Sequence, residues 1–233
     1  MKIFIMLLIF STTIYSAEIS FTVLKFKGNA QIREGMNEKW QPVQVGQILR
    51  EMDSVVTGSD AEISVLRSDG FKTIIPEECL LEVFELVLVS EQDLILFLTG
   101  EKLREIKPLH EKRDLKLSPI HVIHGEKYET PETDSTLLNV QIAALEMNGV
   151  QMLMDLEYFT NAIIKLRKIK RIYPNKIDLA QAEFQEAICF ESIQHYGNAI
   201  AVFEKIVRNF SESEYSELAE KRMKGIKAVY LKN

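Results

Sequence analysis

The side chains best suited to metal ligation or nucleophilic attack are few, and their spacing suits neither. His121 and His124 stand three residues apart in a run that reads as a strand, where alternation sends them to opposite faces. No cysteine lies close enough in sequence to complete a ligand set, since Cys79 and Cys189 are both distant. The expectation is therefore no metal and no cofactor. Gly-x-Ser-x-Gly, His-Glu-x-x-His and a phosphate-cradling glycine loop are all missing from the sequence, so no residue is assigned a catalytic role. Asp53 and Thr57 beside Gly58, and Asp69 beside Gly70, could be a polar couple for proton transfer. Short polar side chains next to glycine more often close a turn by bonding the backbone, and that reading is preferred. With 34 Asp+Glu, carboxylate pairs are plentiful. A glycosidase-type enzyme would need one such pair facing across a cleft, about 5–10 Å apart.

Charge gives a second candidate. Lys165, Arg167, Lys168, Lys170 and Arg171 crowd one stretch near the C-terminal end of a helix, forming a basic patch. A solvated helix end favoured by the helix dipole explains such a run. The alternative is docking onto an acidic surface, either another part of the chain or an anionic envelope polymer such as peptidoglycan. The net charge of −6 argues against a nucleic-acid partner. It is also unevenly placed: residues 18–134 carry 14 Lys+Arg and 22 Asp+Glu, those after Ser135 carry 13 and 12, so the parts are −8 and +1.

The elements that must hold these residues fall into three stretches of the 233-residue chain. Lys2 precedes the apolar run Ile3 to Phe10, followed by hydroxyl residues and the small pair Ser16-Ala17, the layout of a signal peptide over residues 1–17. The run is too short to span a bilayer, and no cysteine stands at the processing site to take a lipid. The expectation is a periplasmic or secreted protein, not an integral membrane one. Residues 18–130 have a hydrophobic period of two, as in Leu24, Phe26, Ala30 and Ile32, with a two-residue hairpin expected at Asp69-Gly70. Leu80–Val89 and Leu94–Leu98 read as two further strands, bounded by Ser90-Glu91-Gln92-Asp93 and Gly100. Residues 131–137, around Pro131, read as a linker. From 138 to 233 the period becomes helical. The fold class expected is multidomain α+β, an antiparallel β sandwich or roll followed by an all-α helical hairpin repeat.

Particular residues of the β-rich part carry a resemblance. Leu24-x-Phe26-x-Gly28-x-Ala30-x-Ile32, Trp40, Val45-Gly46, Leu49, Met52-Asp53-Ser54-Val55-Val56-Thr57-Gly58, Ala61-Glu62-Ile63 and Ser68-Asp69-Gly70-Phe71 resemble the FecR domain of bacterial envelope proteins. Phe97–Gly100 and Leu117–Gly125 are similar to its later strands, with His124-Gly125-Glu126 where Arg-Gly-Thr is usual.

The helical part repeats itself at a shift of 37 residues, carrying Asn161-Ala162-Ile163 onto Asn198-Ala199-Ile200. Phe159, Leu166, Ile169 and Tyr173 map in the same way onto Tyr196, Phe203, Ile206 and Phe210. These elements resemble tetratricopeptide repeats: Val150, Leu153, Phe159, Ala162, Ile163 and Leu166 in one unit, Ala187, Phe190, Tyr196, Ala199, Ile200 and Phe203 in the next. The departures are Glu183 and Glu186 at usually apolar positions, and Ser211 in place of a proline. A last helix, Tyr215 to Leu231, reads as a cap. The resemblance implies a groove lined by the first helix of each unit, at Ala144, Met147, Asn148, Gln151, Gln181, Phe184, Gln185 and Ile188, with a peptide or protein as ligand. Packing against the cap or the strand domain is an equally open reading of these eight residues. Together the modules imply a non-catalytic envelope adaptor, with a FecR-type signalling protein as the alternative and a polysaccharide-active enzyme third.

Overall fold

The computed structural model describes residues 19–37, 39–105 and 132–230. The segment 1–17, both His121 and His124, and the stretch Leu117–Gly125 lie outside the described residues.

The β-rich part forms two four-stranded antiparallel sheets. One has the order β4 (Ile48–Leu49), β1 (Phe21–Lys27), β6 (Glu62–Arg67), β7 (Lys72–Ile75). The other runs β3 (Gln41–Pro42), β2 (Ala30–Arg33), β5 (Ser54–Thr57), β8 (Leu80–Glu82). Phe21, Val23, Ile63, Val65 and Ile75 from the first sheet join Ala30, Ile32, Val55 and Leu81 from the second in a common buried core, whereas Leu24 and Phe26, expected on the apolar face of β1, are exposed, because the register shifts between Val23 and Lys25. Burying a Val, Leu, Ile or Phe side chain contributes about 1.5–3 kcal/mol, so this set supplies the main cohesion of the module.

Turn chemistry fixes the register. Asp53 accepts from the backbone N–H of Gly35 (2.9 Å) and Arg50 (2.8 Å), and Thr57 donates to the Pro76 carbonyl while accepting from Cys79 N–H. These residues close turns, as expected. Asp69 accepts from Arg67 and from Phe71 N–H, and the guanidinium first, then the amide, holds its carboxyl down to about 2. The β6–β7 loop has three residues, Ser68-Asp69-Gly70, rather than the expected two. Gly70 N–H reaches Arg67 O, Arg67 N–H reaches Phe71 O, and Gly70 takes φ +94° to complete the bulge that a three-residue loop needs.

Two strand expectations fail here. Leu94–Leu98 is not a strand but part of α1 (Glu91–Glu105), so Phe97–Gly100 has no strand character either. Ser90 is its N-terminal cap: Ser90 Oγ accepts from Asp93 N–H and donates to the Asp93 carboxylate. Leu94 and Leu98, one turn apart, are buried, while Ile95 and Leu96 are exposed, which is a helical pattern. Leu80–Val89 also shortens, to β8 followed by a 3-10 turn at Val83–Leu86. The residues expected as a linker, 131–137, are helical from Glu132, where α2 (Glu132–Asp155) begins.

The helical part pairs α2 with α3 (Phe159–Ile172) and α4 (Leu179–Ser192) with α5 (Tyr196–Asn209), and closes with α6 (Glu214–Tyr230). The buried face carries the repeated residues: Leu153, Ala162, Ile163 and Leu166, then Phe190, Ala199 and Phe203. Asp178 caps α4 through bonds from Ala180 and Gln181 N–H. Among the described residues no helix is long and apolar enough to cross a membrane.

Candidate functional site

The five cations of α3 do not form a free basic patch. Lys165 is fully buried, with its ammonium 2.8 Å from Glu85 Oε2 and 2.5 Å from Glu146 Oε2. Glu85 belongs to the β-rich part and Glu146 to α2, so one lysine ties the two parts together. Lys168 pairs with Glu82 at 2.8 Å, and Arg167 bridges Glu101 of α1 (2.8 Å) and Glu186 of α4 (2.7 Å). Lys170 pairs with Glu183 and Glu186 of α4, and Arg171, largely exposed, lies 3.9 Å from Glu101. The cations dock onto acidic groups within the chain and are spent there. Arg171 is the most exposed of the five.

Burial and pairing compete inside this network. Burial alone would lower Lys165, but its two carboxylates reverse the effect and hold the ammonium charged. Glu85 is pushed up, because burial outweighs the help of Lys165. Glu183, also buried, goes the other way, since Lys170 and Lys205 outweigh its loss of solvent. Glu183 and Glu186, odd in an apolar repeat position, are thus the partners of the α3 cations.

Around the lysine, neutral groups complete the junction. Asn161 donates to the carbonyls of Glu85 (3.0 Å) and Val87 (2.8 Å) and accepts from Val89 N–H (2.9 Å). Thr160 donates to Val89 O at 2.7 Å. Every one of these bonds fastens the start of α3 to the exit of the 3-10 turn. Gly149 lets α2 lie against β8: a Cβ there would stand 2.6 Å from Leu80 O. Asn148 donates to Glu78 O at 2.8 Å, and Phe71 stacks on Tyr158 with ring centres 6.5 Å apart.

The groove expected from the first helices is partly assembled. Ala144, Met147, Asn148, Gln151, Gln181 and Gln185 line one cavity of about 350 Å³, floored at the turn by Lys176, Ile177 and Asp178. Four carboxamides in one groove offer both donors and acceptors, the chemistry that matches a polypeptide backbone. Gln185 Nε2 reaches Gln151 Oε1 at 3.4 Å, while the buried Gln185 Oε1 has no partner among the described residues. Phe184 and Ile188 are outside this lining. Phe184 instead packs on Phe203 (5.7 Å) and Tyr215 (5.4 Å), which is the cap-packing reading, and Ile188 is half-buried against the core.

The thiols are buried and unbridged, with burial pushing Cys79 and Cys189 each up to about 12, so neither is a ready nucleophile. Glu85 and Glu146 are apposed carboxylates, but both are buried and a buried lysine lies between them, so they are not placed to act as acid and nucleophile. Among the described residues no group of His, Cys, Asp and Glu could hold a metal ion.

Sequence reasoning missed Thr160, Asn161, Gly149, Glu85 and Glu146. A signal existed: under the 37-residue shift Thr160 meets Gly197, Lys165 meets Val202 and Gly149 meets Glu186, so these are the places where one repeat does something its copy does not. No family model matches the chain, and neither does any curated protein or solved structure.

Proposed function

We propose that the chain is a non-catalytic polypeptide-binding adaptor of a bacterial cell envelope, in which a FecR-like β module is locked to a short helical repeat of tetratricopeptide type. The observation that carries this reading is the cavity of about 350 Å³ lined by Asn148, Gln151, Gln181 and Gln185 together with Met147. Amide side chains bond a peptide backbone irrespective of its sequence, and a flexible thioether adapts to varied side chains. The junction supports the same reading, because a groove built on helices fixed to a rigid base holds its geometry when it binds.

The apolar N-terminal run and its small-residue end support export to the periplasm or beyond. Fractionation tests this: recovery in the cytoplasm would remove the envelope from the proposal. For the groove, a photo-crosslinking residue at position 147 should capture polypeptide partners in envelope extract, and the same residue at Lys221 should not. Equal capture from both positions, or capture that survives Gln151→Ala with Gln181→Ala, would sink it.

A further inference from the structure

Of the four sheet edges among the described residues, three are protected. β8 is covered by α2 at Gly149, and β3 and β4 are two residues long, β3 containing Pro42. β7 is different. Arg67 N–H bonds Phe71 O, and from that rung the antiparallel alternation gives bonded pairs at Val65–Thr73 and Ile63–Ile75. The N–H and C=O groups of Lys72 and Ile74 therefore point away from β6, and they have no partner among the described residues. The Ile74 side chain is also half-exposed, at 48%.

That open edge borders a cleft of about 340 Å³, with Ile74 and Pro76 on one side and Asn148, Gln151 and Asp155 of α2, with Leu156 just after it, on the other. Asn148 and Gln151 line the carboxamide groove too, so cleft and groove are neighbours that share these two side chains. We propose that β7 is a strand-addition site: an extended segment of the partner polypeptide leaves the carboxamide groove and pairs with the backbone of Lys72 and Ile74. The inference rests on the groove being a polypeptide site.

The chemistry selects the occupant. Two N–H donors and two C=O acceptors, repeating at about 6.8 Å along one line, are complemented by another extended backbone. A second copy of this chain fits poorly. Residues of α2 stand beside its β7 across the cleft, so a second copy would have to seat its own strand and the α2 beside it in the same narrow space. A lysine on the edge strand is also a known guard against self-pairing, and a four-residue pairing falls far below the roughly 1,200 Å² of a stable interface.

Hydrogen exchange of the Lys72 and Ile74 amides, followed by NMR in the full chain, tests the site. The probe is a capped six-residue peptide of alternating threonine and isoleucine, compared with the same peptide N-methylated at alternate amides. Both amides should exchange freely in the protein alone and at least about tenfold more slowly with saturating unmodified peptide, and the N-methylated peptide should give no protection. Ile74→Pro removes only an N–H that faces away from β6, so the fold should persist while protection of Lys72 is lost. Unchanged exchange at both amides overturns the inference. If the side-chain amides of Gln181 and Gln185 still shift with peptide, the groove reading survives that result. Protection that grows with protein concentration in the absence of peptide also overturns it, in favour of a second copy.

Discussion

The two helical hairpins are built from one sequence pattern and used differently. Both bury the same apolar set, Ala162, Ile163, Leu166 and Ile169 in the first against Ala199, Phe203 and Ile206 in the second. The first is fitted to the β-rich module through Thr160, Asn161, Lys165 and Gly149; at the matching positions the second has Gly197, Asn198, Val202 and Glu186. Asn161 is 3% exposed and makes three bonds to the module, whereas Asn198 is exposed. Repeated apolar positions therefore make a hairpin, while the unrepeated Thr160, Lys165 and Gly149, joined by Asn161, a repeated residue whose copy is left exposed, decide what it docks onto.

Breaking the comparison at its most charged point should have the largest effect. Lys165→Met leaves Glu85 and Glu146 buried without their cation and should cost about 3–5 kcal/mol by urea unfolding. Adding Glu85→Gln and Glu146→Gln should recover much of that loss; no recovery would show that packing of the lysine stem, not its charge, matters.

Next comes the glycine contrast. Gly149→Ala forces a methyl against Leu80 O and should destabilise by about 1–3 kcal/mol, while Gly197→Ala meets open space and should be neutral or stabilising by up to about 1 kcal/mol. Equal effects from the two would mean that α2 does not lie on β8 as described. Asn161→Ala should cost about 1–3 kcal/mol by leaving Val89 N–H and two carbonyls unpaired, and Asn198→Ala under about 0.5 kcal/mol.

The smallest effect is the pH dependence. Glu85 has a raised folded value, so its contribution is full below the ordinary carboxylate range and is lost as pH rises through the raised value. Unfolding free energy measured across that window should fall with rising pH in the native chain and fall less steeply in Glu85→Gln. Asp69 and Glu183, both lowered, contribute in the opposite sense, losing stability as pH falls through their folded values.

Local pattern carried much of the fold. Period-two alternation located β1, β2, β6 and β7, and the 37-residue shift located all four repeat helices. The region around Leu94 was misread because a five-residue apolar run suits a strand as well as a helix; Ser90 and Asp93 were the deciding signal, and they read equally as a turn. Of the eight groove residues, six do meet in one cavity, since helical spacing fixes which side chains share a face. Phe184 and Ile188 share that face but pack inward, Phe184 on Tyr215 of α6 and Phe203 of α5, neighbours that spacing within α4 does not record, and Ile188 against the core.

The sequence alone determined the two periods, the repeat, the turn-closing roles of Asp53, Thr57 and Asp69, and the charge imbalance between the halves. All of these are local, set by backbone sterics and neighbours a few residues away. Only the tertiary structure decided that the imbalance is an internal complementarity. Lys165 and Glu85 stand 80 residues apart, and a cation in a run of cations gives no local hint that it will be buried. What removes it from water is the close approach of α2, α3 and β8. Once they meet, an unpaired charge there would be too costly to keep, and the acidic module supplies the carboxylate that makes the contact possible.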